Sequence, residues 1–332
     1  MKRRCLVLFS GGLDSMLAVR RMHRQGIEVE AVNFKTVFTC CQDQAGQAAR
    51  KLGVKLTVVR QEDDYLDLVR RPRWGYGKGA NPCVDCRIYM FDRAKHYLQQ
   101  SGADFLASGE IVGQRPMSQK RRDLDVIAHH SGCDDLLLRP LSAKLLPPTR
   151  PEREGWIDRE QLYDICGRSR KRLIKIAREF GIEEIPSPST GCALTEKRFS
   201  KKVYDLIEFD QAAGSWDFEL LKTGPHFRID EQTKVVVGRN SDENGTRNYM
   251  HDLPEARSSA LLRPDGFPGP SVLLLGSATD AAIELAAGMI VRYSTSGQAE
   301  GGSILIDRRD GQESISATRS ETAEQLVTLA GA

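Results

Sequence analysis

Ser10-Gly11-Gly12-Leu13-Asp14-Ser15 is the stretch of this sequence best suited to hold an anion. Two glycines let the backbone come close to a phosphate, the serine hydroxyls add donors, and the first amides of a following helix point at the charge. Asp14 is placed to orient such a loop or to share a Mg2+ ion with a pyrophosphate. The stretch lacks the Gly-Lys-Ser/Thr ending of a Walker A loop and the Gly-x-Gly-x-x-Gly spacing of a dinucleotide turn, which sets those two nucleotide classes aside. A second reactive group is Cys83-Val84-Asp85-Cys86. Eight unevenly spaced cysteines in a chain of 332 residues read as reduced thiols used for chemistry or for metal, not as a disulfide framework.

The elements that must position these groups follow from apolar patterning. Cys5 to Phe9 is a continuous apolar run ending at the glycine pair, as expected of a parallel strand covered on both faces. A helix over 14–24, strands over 29–34 and 56–59 with a helix over 43–52 between them, a helix from about Arg87 to Gln100 and a strand over 105–108 continue the alternation. The fold class expected is α/β, a doubly wound parallel sheet, with a second, smaller α+β domain. The run 74–82 reads as loop, and 113–155 as irregular because its prolines exclude long helices. Helices are expected over 158–165 and 169–180, the second with Leu173, Ile176, Ala177 and Phe180 on one face and cations elsewhere, and another over 201–209. From about Asp217 the texture changes to short β-like runs, among them 234–237, 271–275 and 303–306, with a helix over 278–289. The domains are therefore expected at 1–210 and 217–332.

Charge is divided unevenly. Residues 1–207 hold 37 Lys+Arg and 26 Asp+Glu, while residues 208–332 hold 11 and 19. The basic part is the better candidate for a polyanionic partner. Arg115, Lys120, Arg121, Arg122 and the basic helix over 168–178 are candidate phosphate contacts for an RNA backbone, a solvated helix face being the alternative for the second. Met1-Lys2-Arg3-Arg4 leads into only a short apolar stretch and no run of about 18 apolar residues occurs, so a cytoplasmic protein with no membrane partner is expected. Cys40-Cys41 is a rival thiol pair, although adjacent thiols can hardly chelate one metal. Cys5, Cys133 and Cys166 read as core or surface thiols, and His129-His130 as a turn feature.

The order strand, Ser-Gly-Gly-x-Asp-Ser, helix resembles the PP-loop ATP pyrophosphatases, the adenine nucleotide alpha hydrolase-like fold. That resemblance implies ATP cleavage between the α and β phosphates and adenylation of a carbonyl oxygen. It also implies that Ser10, Gly11, Gly12, Asp14 and Ser15 cradle pyrophosphate, and that Asn33, Phe34, Ser108 and Gly109 lie near the adenosine. Asn81-Pro82-Cys83-Val84-Asp85-Cys86, the run 102–109 and Ser189-Thr190-Gly191-Cys192 are further similar to the tRNA 2-thiouridine synthases, over roughly residues 4–207. Cys83 stands where many members carry Asp, and Glu110 where a His is usual, a pattern closer to thiolation enzymes in which three cysteines hold an iron–sulfur cluster.

Three mechanisms stay open under this resemblance. Cys83, Cys86 and Cys192 would hold a [4Fe-4S] cluster with one iron free for sulfide; or Cys192 or Cys86 would carry a persulfide while another cysteine attacks or resolves it; or the thiols would bind structural zinc. The partners implied are tRNA or another RNA and a sulfur donor or carrier protein. The function expected is an ATP-dependent RNA sulfurtransferase, the alternative being a PP-loop amidotransferase or ligase acting on a small molecule. Val235 to Asn244 resembles the core of the NFACT-R RNA-binding domain, against the plainer reading of a Gly238-Arg239-Asn240 turn that closes a hairpin.

Overall fold

The computed structural model describes residues 2–39, 43–61, 63–188, 192–294 and 301–329. It divides into two compact units, Met1–Cys192 and Ala193–Ala332. The division falls ahead of the expected one near residue 210. Helix Lys197–Phe209 goes with the second unit because its buried face carries Val203 and Leu206, and its Asp205 accepts from Arg228 at 2.7 Å.

The first unit is a parallel sheet of β1 (Arg4–Leu8), β2 (Glu28–Lys35), β3 (Lys55–Arg60), β4 (Phe105–Ser108) and β5 (Leu137–Leu138), in the order β3-β2-β1-β4-β5. Cys5, Leu6 and Val7 of the central strand are fully buried, as a strand covered on both faces requires. One face is covered by α1 (Leu13–Arg24), α2 (Gln44–Leu52) and, further along the chain, Leu173 and Ile176; the other by Phe91, Ala94, Leu98 and Ile127. Those last four belong to α4 (Cys83–Ser101) and α5 (Arg121–His130), which follow the short α3 (Asp64–Arg70). A four-residue turn of helix, α6 (Arg150–Arg153), precedes α7 (Lys171–Glu179). Leu173, Ile176, Ala177 and Phe180 are buried as the sequence predicts, and burying each larger side chain contributes about 1.5–3 kcal/mol.

The chain runs outward from β1 through β2 to β3, then returns to the other side of β1 at β4. Connections diverge at that switch and leave a crevice outside the carboxyl ends of β1 and β4. The phosphate-type loop 10–15 and the pair Ser108-Gly109 both lie there.

Three local expectations are corrected. Helix α4 begins at Cys83 and not near Arg87, so both cysteines of the pair sit in its first turn. The segment expected to be irregular contains the ten-residue α5, and His129 and His130 are its last two residues and not a turn. The helix expected over 158–165 is only a 3-10 turn at Arg159–Gln161, after which Tyr163 N donates to Pro140 O at 3.0 Å and Ile165 N to Leu141 O at 2.9 Å, as in an extended chain.

The second unit contains α8 (Lys197–Phe209), α9 (Ser215–Leu220) and an antiparallel sheet of β6 (His226–Arg228), β7 (Lys234–Val237), β8 (Ser258–Asp265), β9 (Val272–Leu275), β10 (Gly301–Arg308) and β11 (Gly311–Thr318). Its order is β11-β10-β8-β9-β7-β6. Helix α11 (Asp280–Tyr293) packs Ile283, Ala286, Met289 and Ile290 on one face. Trp216 of α9 and Met250 of α10 (Ser241–Asp252) pack on the other, and α12 (Glu321–Gln325) follows the last strand. The Gly238-Arg239-Asn240 segment closes no hairpin. It joins β7 to α10, and the Asn240 side chain caps that helix by accepting from Glu243 N at 2.9 Å. Among the described residues no helix is long and apolar enough to cross a membrane.

Candidate active site

Glycine is required twice in the loop at the end of β1. Gly11 has φ +77°, and a Cβ there would stand 2.7 Å from Gln44 O at the start of α2. Gly12 is the N-cap of α1 and has no side chain to offer the helix, so the first amides of α1 keep their donors for a ligand. The Ser15 hydroxyl donates to Gly12 O at 2.8 Å and steadies the turn, while Ser10 remains exposed.

Gly109, at the end of β4, touches this loop from the other side of the switch. A Cβ there would lie 2.5 Å from the Asp14 carbonyl and 2.6 Å from Ser15 N, so the two strand ends meet backbone to backbone. Asn33 donates to Phe9 O at 2.7 Å and secures the residue just before the loop. Phe34 is buried among Leu6, Leu8 and Phe91, and Ser108 is buried against Glu110. Both support the crevice from within.

Asp14 accepts from Gln114 Nε2 at 3.1 Å. Burial pushes its carboxyl up, against the Gln114 hydrogen bond and the nearby charges of Arg115 and Arg170. A half-buried carboxylate beside an anion-binding loop is the donor type that would share Mg2+ with a nucleotide, where the ion would offset pyrophosphate charge.

The thiols form the second half of the site. Cys83 N donates to Asn81 O at 3.0 Å and Cys86 N to Pro82 O at 2.8 Å, winding the pair into the start of α4. Asp85, between them, is buried and accepts from the backbone of Arg73 at 2.8 Å and Trp74 at 3.1 Å, fixing the preceding loop to the helix. Tyr65 donates to Cys86 Sγ at 3.3 Å. Burial pushes the Tyr65 hydroxyl well up, helped by its hydrogen bond to Cys86 and by the charges of Cys86, Cys192 and Cys83. Burial also raises Cys83 and Cys86; Arg87 and Arg115 oppose it at Cys83, and the Tyr65 hydrogen bond and Arg87 at Cys86.

The six cysteines Cys5, Cys83, Cys86, Cys133, Cys166 and Cys192 are unbridged. Among the described residues no three His, Cys, Asp or Glu side chains stand close enough to hold a metal ion. Ser189, Thr190, Gly191 and the pair Cys40-Cys41 lie outside the described residues.

Several participants escape sequence reasoning. Glu110 accepts from Arg139 at 2.9 Å and lies 3.6 Å from Arg87, a buried charge group directly behind Gly109. Gln114 and Tyr65 carry no motif of their own and become visible only through their partners. Lys144 is held by Glu160 at 2.8 and 3.0 Å, and Arg121 donates to Leu145 O at 2.6 Å. Arg115, expected on an RNA backbone, follows Gln114, whose side chain bonds Asp14, and precedes Met117, which packs against Gly77 in the run leading to Cys83.

Residues 3–134 match the family described as the tRNA methyl transferase HUP domain, and residues 224–328 match the NFACT protein RNA binding domain. The tRNA-specific 2-thiouridylase MnmA of Sulfurimonas denitrificans is 30% identical over 121 residues, covering 34% of this chain and 36% of that protein. The protein of the same name from Mesoplasma florum is 26% identical over 236 residues, covering 62% and 60%. The chain thus spans between about a third and three fifths of these relatives' length. A solved 4-thiouridine synthetase–RNA complex with bound ATP shares 20% identity at a TM-score of 0.38, covering 54% of this chain and 41% of that one.

Proposed function

Starting from a chain that joins a tRNA methyl transferase-type HUP domain to an NFACT-type RNA-binding domain, we propose that it is an ATP-dependent RNA sulfurtransferase with tRNA as its substrate. The observation that carries this reading is that one segment, 113–119, reaches both an anion-binding loop and free thiols: Gln114 bonds Asp14 at 3.1 Å, and Met117 packs against Gly77 in the run that leads to Cys83 and Cys86. An ammonia-using ligase needs the loop but has no use for Cys83, Cys86 and Cys192.

In the first step a base carbonyl oxygen attacks the α-phosphorus of ATP, the bond to the β-phosphate breaks, and pyrophosphate leaves into the amides of residues 11–15. The carbonyl oxygen, a poor leaving group, is now a phosphate ester. In the second step sulfur bonds to the base carbon, the carbon–oxygen bond breaks, and AMP departs with the electron pair. Cys86 or Cys192 receives a terminal sulfur from a donor or carrier protein. That sulfur attacks the base, a second thiol of the group cleaves the resulting mixed disulfide, and an external thiol reduces the disulfide left behind. Burial raises the Cys86 thiol, the Tyr65 hydrogen bond works in the opposite direction, and Asp85 holds the pair in place. The NFACT-type unit holds the RNA, and the cytoplasm keeps the thiols reduced.

The test combines purified protein, unmodified tRNA, ATP and a persulfide donor, with nucleosides read by mass spectrometry and pyrophosphate by enzymatic assay. Thionucleoside should form, and Cys83→Ser, Cys86→Ser and Cys192→Ser should each lower it by about 100-fold or more while RNA-dependent pyrophosphate release continues. Unaltered RNA alongside an amidated product would make the chain a ligase. An anaerobic absorption spectrum of the purified chain reads the cluster alternative directly.

A further inference from the structure

Residues 113–119 close into a small loop, with Gly113 N donating to Gln119 O at 2.6 Å and Gln119 N to Arg115 O at 3.1 Å. The loop is anchored twice. Gln114 bonds the Asp14 carboxylate at 3.1 Å, on the nucleotide side. Met117 packs against Gly77 in the run that leads to Cys83, where a Cβ would stand 3.1 Å from Met117 Cγ. Arg115 lies between these anchors in the chain.

Neighbouring arginines are engaged. Arg139 donates to Glu110 and to Leu124 O, Arg170 to Pro186 O, and Arg87 lies beside Glu110. Among the described residues the Arg115 guanidinium has no hydrogen-bond or ion-pair partner. The residue is open to solvent, yet crowding by protein atoms and by Arg87 lowers its pKa, while Asp14, Cys83 and Glu110 pull the other way. A cation held in place by its loop, left without a carboxylate partner and set between the phosphate loop and a thiol, is suited to an anion that arrives from outside.

We propose that Arg115 binds the α-phosphate of the adenylate and holds it beside Cys83, taking up the charge on the phosphate as AMP leaves. This rests on the function proposed above and gives that site its leaving-group contact. No electrons beyond those of the substitution are involved: the carbon–sulfur bond forms, the carbon–oxygen bond breaks, and the pair goes to the phosphate oxygen that faces the guanidinium.

The test uses the full chain and two probes, AMP and adenosine. Calorimetric titration should show AMP binding weakened roughly 10- to 100-fold in Arg115→Ala, with adenosine binding unchanged and Arg115→Lys recovering part of the loss. In the unaltered chain AMP, but not adenosine, should slow iodoacetamide alkylation of Cys83 as followed by peptide mass spectrometry; in Arg115→Ala, AMP should not. Equal loss of AMP and adenosine binding would mean a structural role and overturn the inference, as would unchanged AMP binding or an unprotected Cys83. If Arg115→Ala lowers RNA affinity alone, the residue is a backbone contact instead. None of these readouts needs thionucleoside formation, so a failure of the sulfurtransferase reading is seen separately, in the unaltered chain.

Discussion

Gly109 links two strand ends through a contact that no side chain tolerates. With a Cβ 2.5 Å from the Asp14 carbonyl, Gly109→Ala must push the loop 10–15 off its position, at about 1–3 kcal/mol of stability. Nucleotide affinity should fall at least about tenfold, measured by ATP titration, with urea unfolding alongside; an ATP affinity equal to the unaltered chain would remove Gly109 from the site. At this scale the sequence was informative wherever chemistry demands a residue type in a row. Ser10 to Ser15 and Cys83 to Cys86 announce themselves because phosphate needs bare backbone and sulfur chemistry needs thiols. Tyr65, Gln114 and Glu110 do not, since each acts through a partner far away in the chain: 21 residues separate Tyr65 from Cys86, and 100 separate Gln114 from Asp14.

Among the elements, β1, β2 and β4 were legible to within a residue or two, β1 and β4 from their apolar runs and β2 from Val29, Ala31, Val32 and Phe34 around the polar Glu30 and Asn33. Helix α5 was hidden by its polar opening, Lys120 to Asp123, and by flanking prolines; only Leu124, Ile127 and Ala128 mark its buried face. The start of α4 was masked by Pro82 and the glycines before it, although proline at a helix start is compatible with its missing N–H. In the second unit the sequence showed a Gly-Arg-Asn signal without the helix behind it. That helix depends on Glu243, whose carboxylate accepts from Arg239 N and Nε at 2.9 Å. Against the upward push of burial, these bonds hold Glu243 at about 2. A carboxyl with its folded pKa below its unfolded value adds stability that is present above about pH 4.3 and is lost as pH falls toward 2. Glu243→Gln should therefore flatten the fall in melting temperature between these limits, relative to the unaltered chain; parallel acid profiles would show that the Arg239 pairing adds nothing.

The whole molecule is two units, each with its own core: Leu17, Phe105 and Leu173 in the first, Val235, Leu274 and Ile290 in the second. A fragment of residues 193–332 is expected to fold alone, giving a circular dichroism spectrum of mixed helix and strand and one cooperative thermal transition; a fragment that stays unfolded would mean the second core needs the first unit. The change of texture near Asp217 was legible, but the boundary itself was not, because the amphipathic pattern of α8 does not say which core it serves. Its Asp205, paired with Arg228 and 3.6 Å from Lys234, gives the answer only in three dimensions.

The carboxylate of Asp85 holds the amide of Trp74, one of three tryptophans in the chain. That indole lies 4.7 Å from the ring of His130 and 4.7 Å beneath the guanidinium of Arg73. Under the sulfurtransferase reading proposed above, a bond made at Cys83 or Cys86 is linked through Asp85 to the surroundings of this indole, so a change in tryptophan emission on adding the sulfur donor, read by stopped flow and lost in Trp74→Phe, is the expected label-free signal.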